Sequence, residues 1–181
     1  MPPHDLALSF EVLVVDDEPA ARELLIEYFR SLGFRVSGAQ DGRGAIASLQ
    51  RSQGAYGLVV TDLNLPGADG FAVLQAARQA NASCYVVIVT GYASLDSAIQ
   101  AVRVGAYDYL TKPFSLGQLD VVLGRIQDRA RLEGENRRLR PPASAPMAVP
   151  AAAPAADVER RVAAIEQSLA RIESLLATRV A

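Results

Sequence analysis

The chain has 181 residues, half of them hydrophobic and 21% charged, which is room for one domain of ordinary size with an appendage. Its formal charge of -2 rules out any global attraction to nucleic acid or to an anionic membrane. One cysteine, Cys84, rules out a disulfide framework, and no stretch reaches the length of a membrane-spanning helix.

Residues 1–9 form a polar leader with the only histidine, His4, but no cationic region followed by an apolar stretch. They do not read as a secretory signal, and His4 is given no role. The first predicted strand, 10–15, is followed by Asp16 and Asp17. A helix then starts at Pro19, carries Ala20, Leu24, Leu25 and Tyr28 at helical spacing, and can close at Gly33. Four more strand and helix units follow: strands at 34–39, 58–61, 85–89 and 107–110, and helices near 43–52, 70–80, 94–104 and 115–139. Cys84 heads the fourth apolar run, so a buried thiol and a reducing, cytosolic setting are expected.

Continuous apolar strands alternating with helices are the pattern of a parallel sheet covered on both faces. Short right-handed crossovers favour an α/β, flavodoxin-like, doubly wound five-stranded sheet in order 2-1-3-4-5 with five helices. The reading divides the chain into the leader, a main domain at 10–130, a helical stalk at 131–140, a linker at 141–156 and a last segment at 157–181. The stalk region carries Arg125, Arg129, Arg131, Arg137, Arg138 and Arg140 against Asp128, Glu133 and Glu135, a charge mixture better suited to a solvated helix than to DNA. Direct contact with DNA through this basic stretch is the competing output. The linker is nearly all alanine and proline, a semi-rigid spacer. In the last segment Val158, Val162, Ile165, Leu169, Ile172 and Leu176 recur at steps of four and three, a heptad seam. It is too short to be stable alone, so a coiled-coil-like helix that self-associates, packs on its own domain or docks on a partner is expected. Parallel pairing would set Arg161 against Glu166 of a neighbour, and Leu with Ile along the seam leans beyond dimers.

The predicted strand ends share a chemistry. Asp16 and Asp17 follow the first strand, Asp62 the third and Thr90 the fourth, while Lys112 follows the fifth. In an open α/β sheet these ends form the ligand crevice, and strands one and three are neighbours in the predicted order. Lys112 is the only lysine; the other seventeen basic residues are arginine. A compact ammonium suits a single phosphoryl oxygen or carboxylate better than a guanidinium fork does. Crowded carboxylates repel one another unless a cation joins them, and Mg2+, which takes oxygen ligands and bridges to phosphates, fits that need. With that charge screened, Asp62 can attack phosphorus and form an acyl phosphate.

These residues resemble the receiver domains of two-component response regulators, of a nitrogen-regulation-like subtype and without a recognisable effector domain. The resemblance rests on Val-Leu-Val-Val-Asp-Asp-Glu-Pro at 12–19, Val-Val-Thr-Asp-Leu-Asn-Leu-Pro-Gly-Ala-Asp-Gly at 59–70, Val-Thr-Gly-Tyr at 89–92 and Gly-Ala-Tyr-Asp-Tyr-Leu-Thr-Lys-Pro-Phe at 105–114. It implies that Asp62 is phosphorylated by a histidine kinase or phosphotransfer protein. It also implies that Mg2+ is held by Asp16, Asp17, Asp62 and the backbone carbonyl of Asn64. Thr90 and Lys112 would then bind the phosphoryl group, Thr90 moving toward it, and Tyr109 would swing inward as the switch aromatic. The face of helix four, strand five and helix five would change its protein contacts, and the Lys112–Pro113 bond is expected to be cis. No turnover of an external substrate is expected. The implied partners are a kinase or phosphotransfer protein and an unknown downstream protein; the heptad seam adds homo-oligomerisation through 157–181, no membrane partner is expected, and the charge pattern disfavours nucleic acid without removing it as the alternative.

One departure is Gly91, where the family more often carries alanine or another small side chain. Two enzyme readings compete. Asp41-Gly42-Arg43-Gly44-Ala45-Ile46-Ala47 has the form of a dinucleotide fingerprint, yet it follows the second strand and leaves Asp16, Asp17 and Lys112 unused. The glycines more simply start a helix. A haloacid-dehalogenase-like phosphatase also combines an aspartate nucleophile, threonine, lysine and Mg2+. It needs a second aspartate two places on as general acid, and this chain has Asn64, which has no titratable proton to give.

Overall fold

The computed structural model describes residues 10–139. Five strands, β1 (Glu11–Val15), β2 (Arg35–Ala39), β3 (Tyr56–Thr61), β4 (Tyr85–Thr90) and β5 (Asp108–Thr111), alternate with α1 (Pro19–Ser31), α2 (Gly42–Arg51), α3 (Gly70–Ala80), α4 (Leu95–Val104) and α5 (Leu116–Leu139). All strand pairs are parallel and their order is β2-β1-β3-β4-β5. The flavodoxin-like arrangement expected from the alternating pattern is therefore the observed one. The heptad residues Val158, Val162, Ile165, Leu169, Ile172 and Leu176, the linker and the leader with His4 lie outside the described residues.

The strands separate two hydrophobic layers because successive side chains point to opposite faces. Leu13, Val15, Val59 and Ile88 face α2, α3 and α4 with Leu49, Leu74 and Ala98. Val12, Val14, Val60, Val87 and Val89 face α1 and α5 with Leu25, Phe29, Leu119, Val122 and Ile126. Fully burying a side chain of this kind contributes about 1.5–3 kcal/mol, so the central strands anchor whatever stands at their ends. Cys84 lies in the first layer, and burial pushes its thiol up to about 12, which makes it a packing residue rather than a nucleophile.

One expectation needs correcting. The second strand was expected to be covered on both faces like the others, but β2 is half exposed along its length. Among the described residues it pairs only with β1, and its sequence, Arg-Val-Ser-Gly-Ala, offers a single large apolar side chain. That composition suits a sheet edge, where one flank has no ladder partner to cover it. Among the described residues no helix is long and apolar enough to cross a membrane.

Candidate functional site

Register brings the site together. Val15 pairs with Thr61 and Thr90 with Thr111, so the residues that follow each strand emerge at one edge of the sheet. The amide of Asp62 donates to the Val15 carbonyl at 2.8 Å, and the amide of Lys112 donates to the Thr90 carbonyl at 2.8 Å. The strand ladder thus continues one residue into the site and fixes both side chains from the backbone.

Asp16, Asp17 and Asp62 can each offer a carboxylate oxygen with all three within 4.8 Å of one another. Asp16 and Asp62 are buried, whereas Asp17 is exposed. The Lys112 ammonium bridges the two buried members, at 2.7 Å from Asp16 and 2.8 Å from Asp62. Burial disfavours that ammonium, but the hydrogen bonds and the negative charges of Asp16 and Asp62 together outweigh it and hold the lysine above its ordinary pKa. Formally, three carboxylates face one ammonium, leaving two negative charges for a further cation to satisfy. The donors are all hard oxygens at close range, which is the set that Mg2+ takes, so the residues fit such an ion.

Local structure explains each placement. Asp17 does not cap the first helix: the N-cap of α1 is Glu18, with no side-chain cap bond, and the Glu18 amide donates instead to Asp16 Oδ1 at 3.0 Å. Asp62 does open a turn, because the Asn64 amide donates to its Oδ1 at 3.1 Å, holding the start of the β3–α3 loop against the acceptor carboxylate. Asn64 itself stands exposed beside the pocket. Thr90 is buried, and its hydroxyl accepts from the Tyr92 amide at 3.2 Å. The Lys112–Pro113 bond is cis.

Tyr109 is anchored at the start of α4. Its ring is buried against the α4 layer, and its hydroxyl lies 2.9 Å from the Ser97 hydroxyl. Burial pushes the phenol up, with the Ser97 hydrogen bond opposing it. Ser97 also completes the capping box of α4 with Ser94, so the tyrosine and the start of α4 share one hydroxyl. Replacing Ser97 with Ala should cost about 1 kcal/mol in urea unfolding and shift the Tyr109 ring resonances, since the reciprocal capping bond from the Ser94 amide and the Tyr109 anchor are lost together while the Ser94 cap itself remains. Unchanged stability and ring shifts would count against that coupling.

Two contributors escaped the sequence reading. Arg22 places Nη1 at 2.7 Å from the Asp16 carbonyl and pins the acidic loop from α1. Ser97 was legible only as half of a Ser-x-x-Ser cap, and nothing local pointed to Tyr109. The dinucleotide reading also meets a physical obstacle. The Gly42 amide donates to the Pro66 carbonyl at 3.2 Å, so the start of α2 is covered by the β3–α3 loop where a pyrophosphate would have to sit.

Comparison with known proteins agrees with this geometry. Residues 12–123 match the family model described as the response regulator receiver domain. The C4-dicarboxylate transport transcriptional regulatory protein DctD of Rhizobium meliloti (strain 1021) is 33% identical over 134 residues, covering 74% of this chain and 29% of that protein. The transcriptional activator protein PfeR of Pseudomonas aeruginosa is 38% identical over 125 residues, covering 69% of this chain and 40% of that protein. The crystal structure of NtrX from Brucella abortus in complex with ADP superposes with a TM-score of 0.64 at 31% identity, over 76% of this chain and 31% of that one. The chain thus spans well under half the length of these relatives.

Proposed function

This chain belongs to the response regulator receiver domain family, and from that premise we propose that Asp62 takes a phosphoryl group from the phosphohistidine of a cognate kinase or phosphotransfer protein. The phosphorus–nitrogen bond to the imidazole breaks and an oxygen–phosphorus bond to the Asp62 carboxylate forms. The imidazole keeps the electron pair and takes up a proton. In this reading Asp16, Asp17, Asp62 and the Asn64 carbonyl would hold Mg2+, which would supply positive charge for the incoming phosphoryl oxygens. Lys112, already within hydrogen-bond reach of Asp62, neutralises one phosphoryl oxygen, and the Thr90 hydroxyl donates to another.

The single observation carrying this proposal is the Lys112 ammonium bridging Asp16 and Asp62, with Asp17 beside them, at the C-terminal edge of the sheet. Incubation with acetyl phosphate and Mg2+ should raise the mass of the intact protein by one phosphoryl group. An unchanged mass with Mg2+ present would overturn the proposal. The family match supports this reading over the two enzyme readings: Asn64 stands where the phosphatase needs a second aspartate, and the dinucleotide reading leaves Asp16, Asp17 and Lys112 unused.

The lifetime of the mark follows from Gly91. A Cβ there would lie 4.0 Å from the Lys112 Cβ, an ordinary contact, so Gly91→Ala adds a methyl group to the pocket wall without displacing it. That methyl restricts water, and autodephosphorylation of the phosphorylated variant should slow by about two- to fivefold. Equal decay rates would remove this account of Gly91.

Phosphorylation adds charge and acceptor oxygens at the end of β3, and Thr90, Tyr109 and the α4–β5–α5 face carry the change to a cytoplasmic protein partner. The segment at 157–181 serves as an oligomerisation or docking helix in the same reading. A second reading is favoured by the relatives themselves, which are transcriptional regulators by name. A nucleic-acid partner therefore enters against the expectation from composition, and a salt-dependent DNA titration of the full chain discriminates the two.

A further inference from the structure

The glycine motif at the start of α2 was left without a role by the phosphoryl chemistry. Gly42 is buried, and a Cβ built on it would lie 1.9 Å from the Ala68 carbonyl oxygen and 2.7 Å from its carbonyl carbon. These are backbone atoms of the β3–α3 loop, so no side-chain rotation relieves the clash. The same loop is tethered to Gly42 through the Pro66 carbonyl, which accepts from the amides of both Gly42 and Ala68 at 3.2 and 3.0 Å. Its other end is gripped by Gly70, whose Cβ would fall 2.3 Å from the Asp62 carbonyl oxygen. Between these two close approaches runs 62–70, which starts at the acceptor carboxylate and includes Asn64. Gly44, two places from Gly42, is different: the nearest atom to a Cβ there would be an oxygen of the Asp41 carboxylate, at 3.4 Å.

We propose that Gly42 is a positioning residue: its bare Cα lets the β3–α3 loop seat against α2 and thereby sets where the Asn64 carbonyl stands beside Asp62. This rests on the reading of Asn64 as a carbonyl ligand of the cation. The Asn64 amide on Asp62 Oδ1 and the Gly70 amide on the Leu63 carbonyl hold the two ends of the loop, so the height of 65–69 between them is set by the α2 start on which they lie. A methyl group at 42 lifts the loop off α2, and the carbonyl moves while the three carboxylates, held on their strand ends, stay.

The test uses the full chain and Mg2+ alone, followed by amide NMR. Gly42→Ala should displace the amides of 63–68 in the metal-free protein and weaken Mg2+ binding about tenfold, as loss of an outer support of a metal ligand does. Gly44→Ala, in the same motif with room for its methyl, should match the wild type in both. Gly57→Ala supplies the control for instability alone: its Cβ would strike the Phe10 ring at 2.3 Å, at the opposite end of β3, so it should melt earlier but bind Mg2+ normally once folded. Wild-type-like Mg2+ affinity with unmoved 63–68 amides in Gly42→Ala overturns the proposal. Failure of the wild type to bind Mg2+ instead defeats the metal reading, and the metal-free amide shifts then decide the positioning role by themselves. Should Gly42→Ala not fold, Asp41→Ala decides, because it loosens the same helix start by removing the bond to the Gly44 amide. Shifted 64–68 amides in that variant support the proposal, and unmoved ones overturn it.

Discussion

Asp62→Asn is expected to gain no phosphoryl mass from acetyl phosphate and Mg2+ while remaining folded, with a stability within about 1 kcal/mol of the wild type. The two halves of this result have one cause. The amide cannot form the acyl phosphate, so the acceptor is gone. Removing that carboxylate also relieves a cluster in which three anions face one cation, and Lys112 keeps Asp16 at 2.7 Å as its partner. Loss of the hydrogen bond to Lys112 and relief of repulsion act in opposite directions and nearly cancel. Intact-mass measurement with a thermal melt on the same sample checks both halves. Residual phosphorylation at wild-type level would move the acceptor elsewhere, and gross unfolding would mean that repulsion is not what governs the cluster.

Lys112→Met, by contrast, should be strongly destabilising. It removes the only ammonium from the cluster and leaves Asp16 and Asp62, both buried, with no cation between them. Breaking a buried pair from one side costs about 3–5 kcal/mol, and the lower end applies because the Lys112 side chain is 22% exposed. Adding Mg2+ should recover more stability in this variant than in the wild type, since an ion binding the folded state replaces the missing charge and no longer competes with the lysine. Melts with EDTA and with Mg2+ read this directly. Identical melting with and without the ion would show that the lysine is not the resident counter-cation.

The pH dependence carries its own sign. The lysine is held above its ordinary 10.5, so the folded state binds its proton more tightly than the unfolded state does. That stabilisation is fully present below 10.5 and is lost as pH rises through the raised value. Alkaline unfolding of the wild type should therefore steepen above this range, and Lys112→Met should lack that step.

The α4–β5 junction shows where sequence reading stops. Tyr109 is legible as an aromatic in the fifth apolar run, but its bond to Ser97 joins residues on two elements, and no period or spacing encodes it. Arg22 is similar: its helical position was plain, while its contact with the Asp16 carbonyl depends on where α1 crosses the strand end. β2 was over-read because burial was inferred from the pattern of its neighbours rather than from Val36 standing as its one large apolar residue.

What the sequence determined unaided was the succession of strands and helices and their parallel order, which put Asp16, Asp17, Asp62 and Lys112 at neighbouring strand ends, because apolar period, proline, glycine and the handedness of crossovers act over short stretches and leave few alternatives. Tertiary structure alone decided that Lys112 reaches across 96 residues to Asp16, that Gly42 and Gly70 admit the backbone of the loop after Asp62, and that Tyr109 shares a hydroxyl with the cap of α4. Those outcomes depend on distances of a few tenths of an ångström between elements far apart in the chain, which close packing of the two layers fixes and local composition does not.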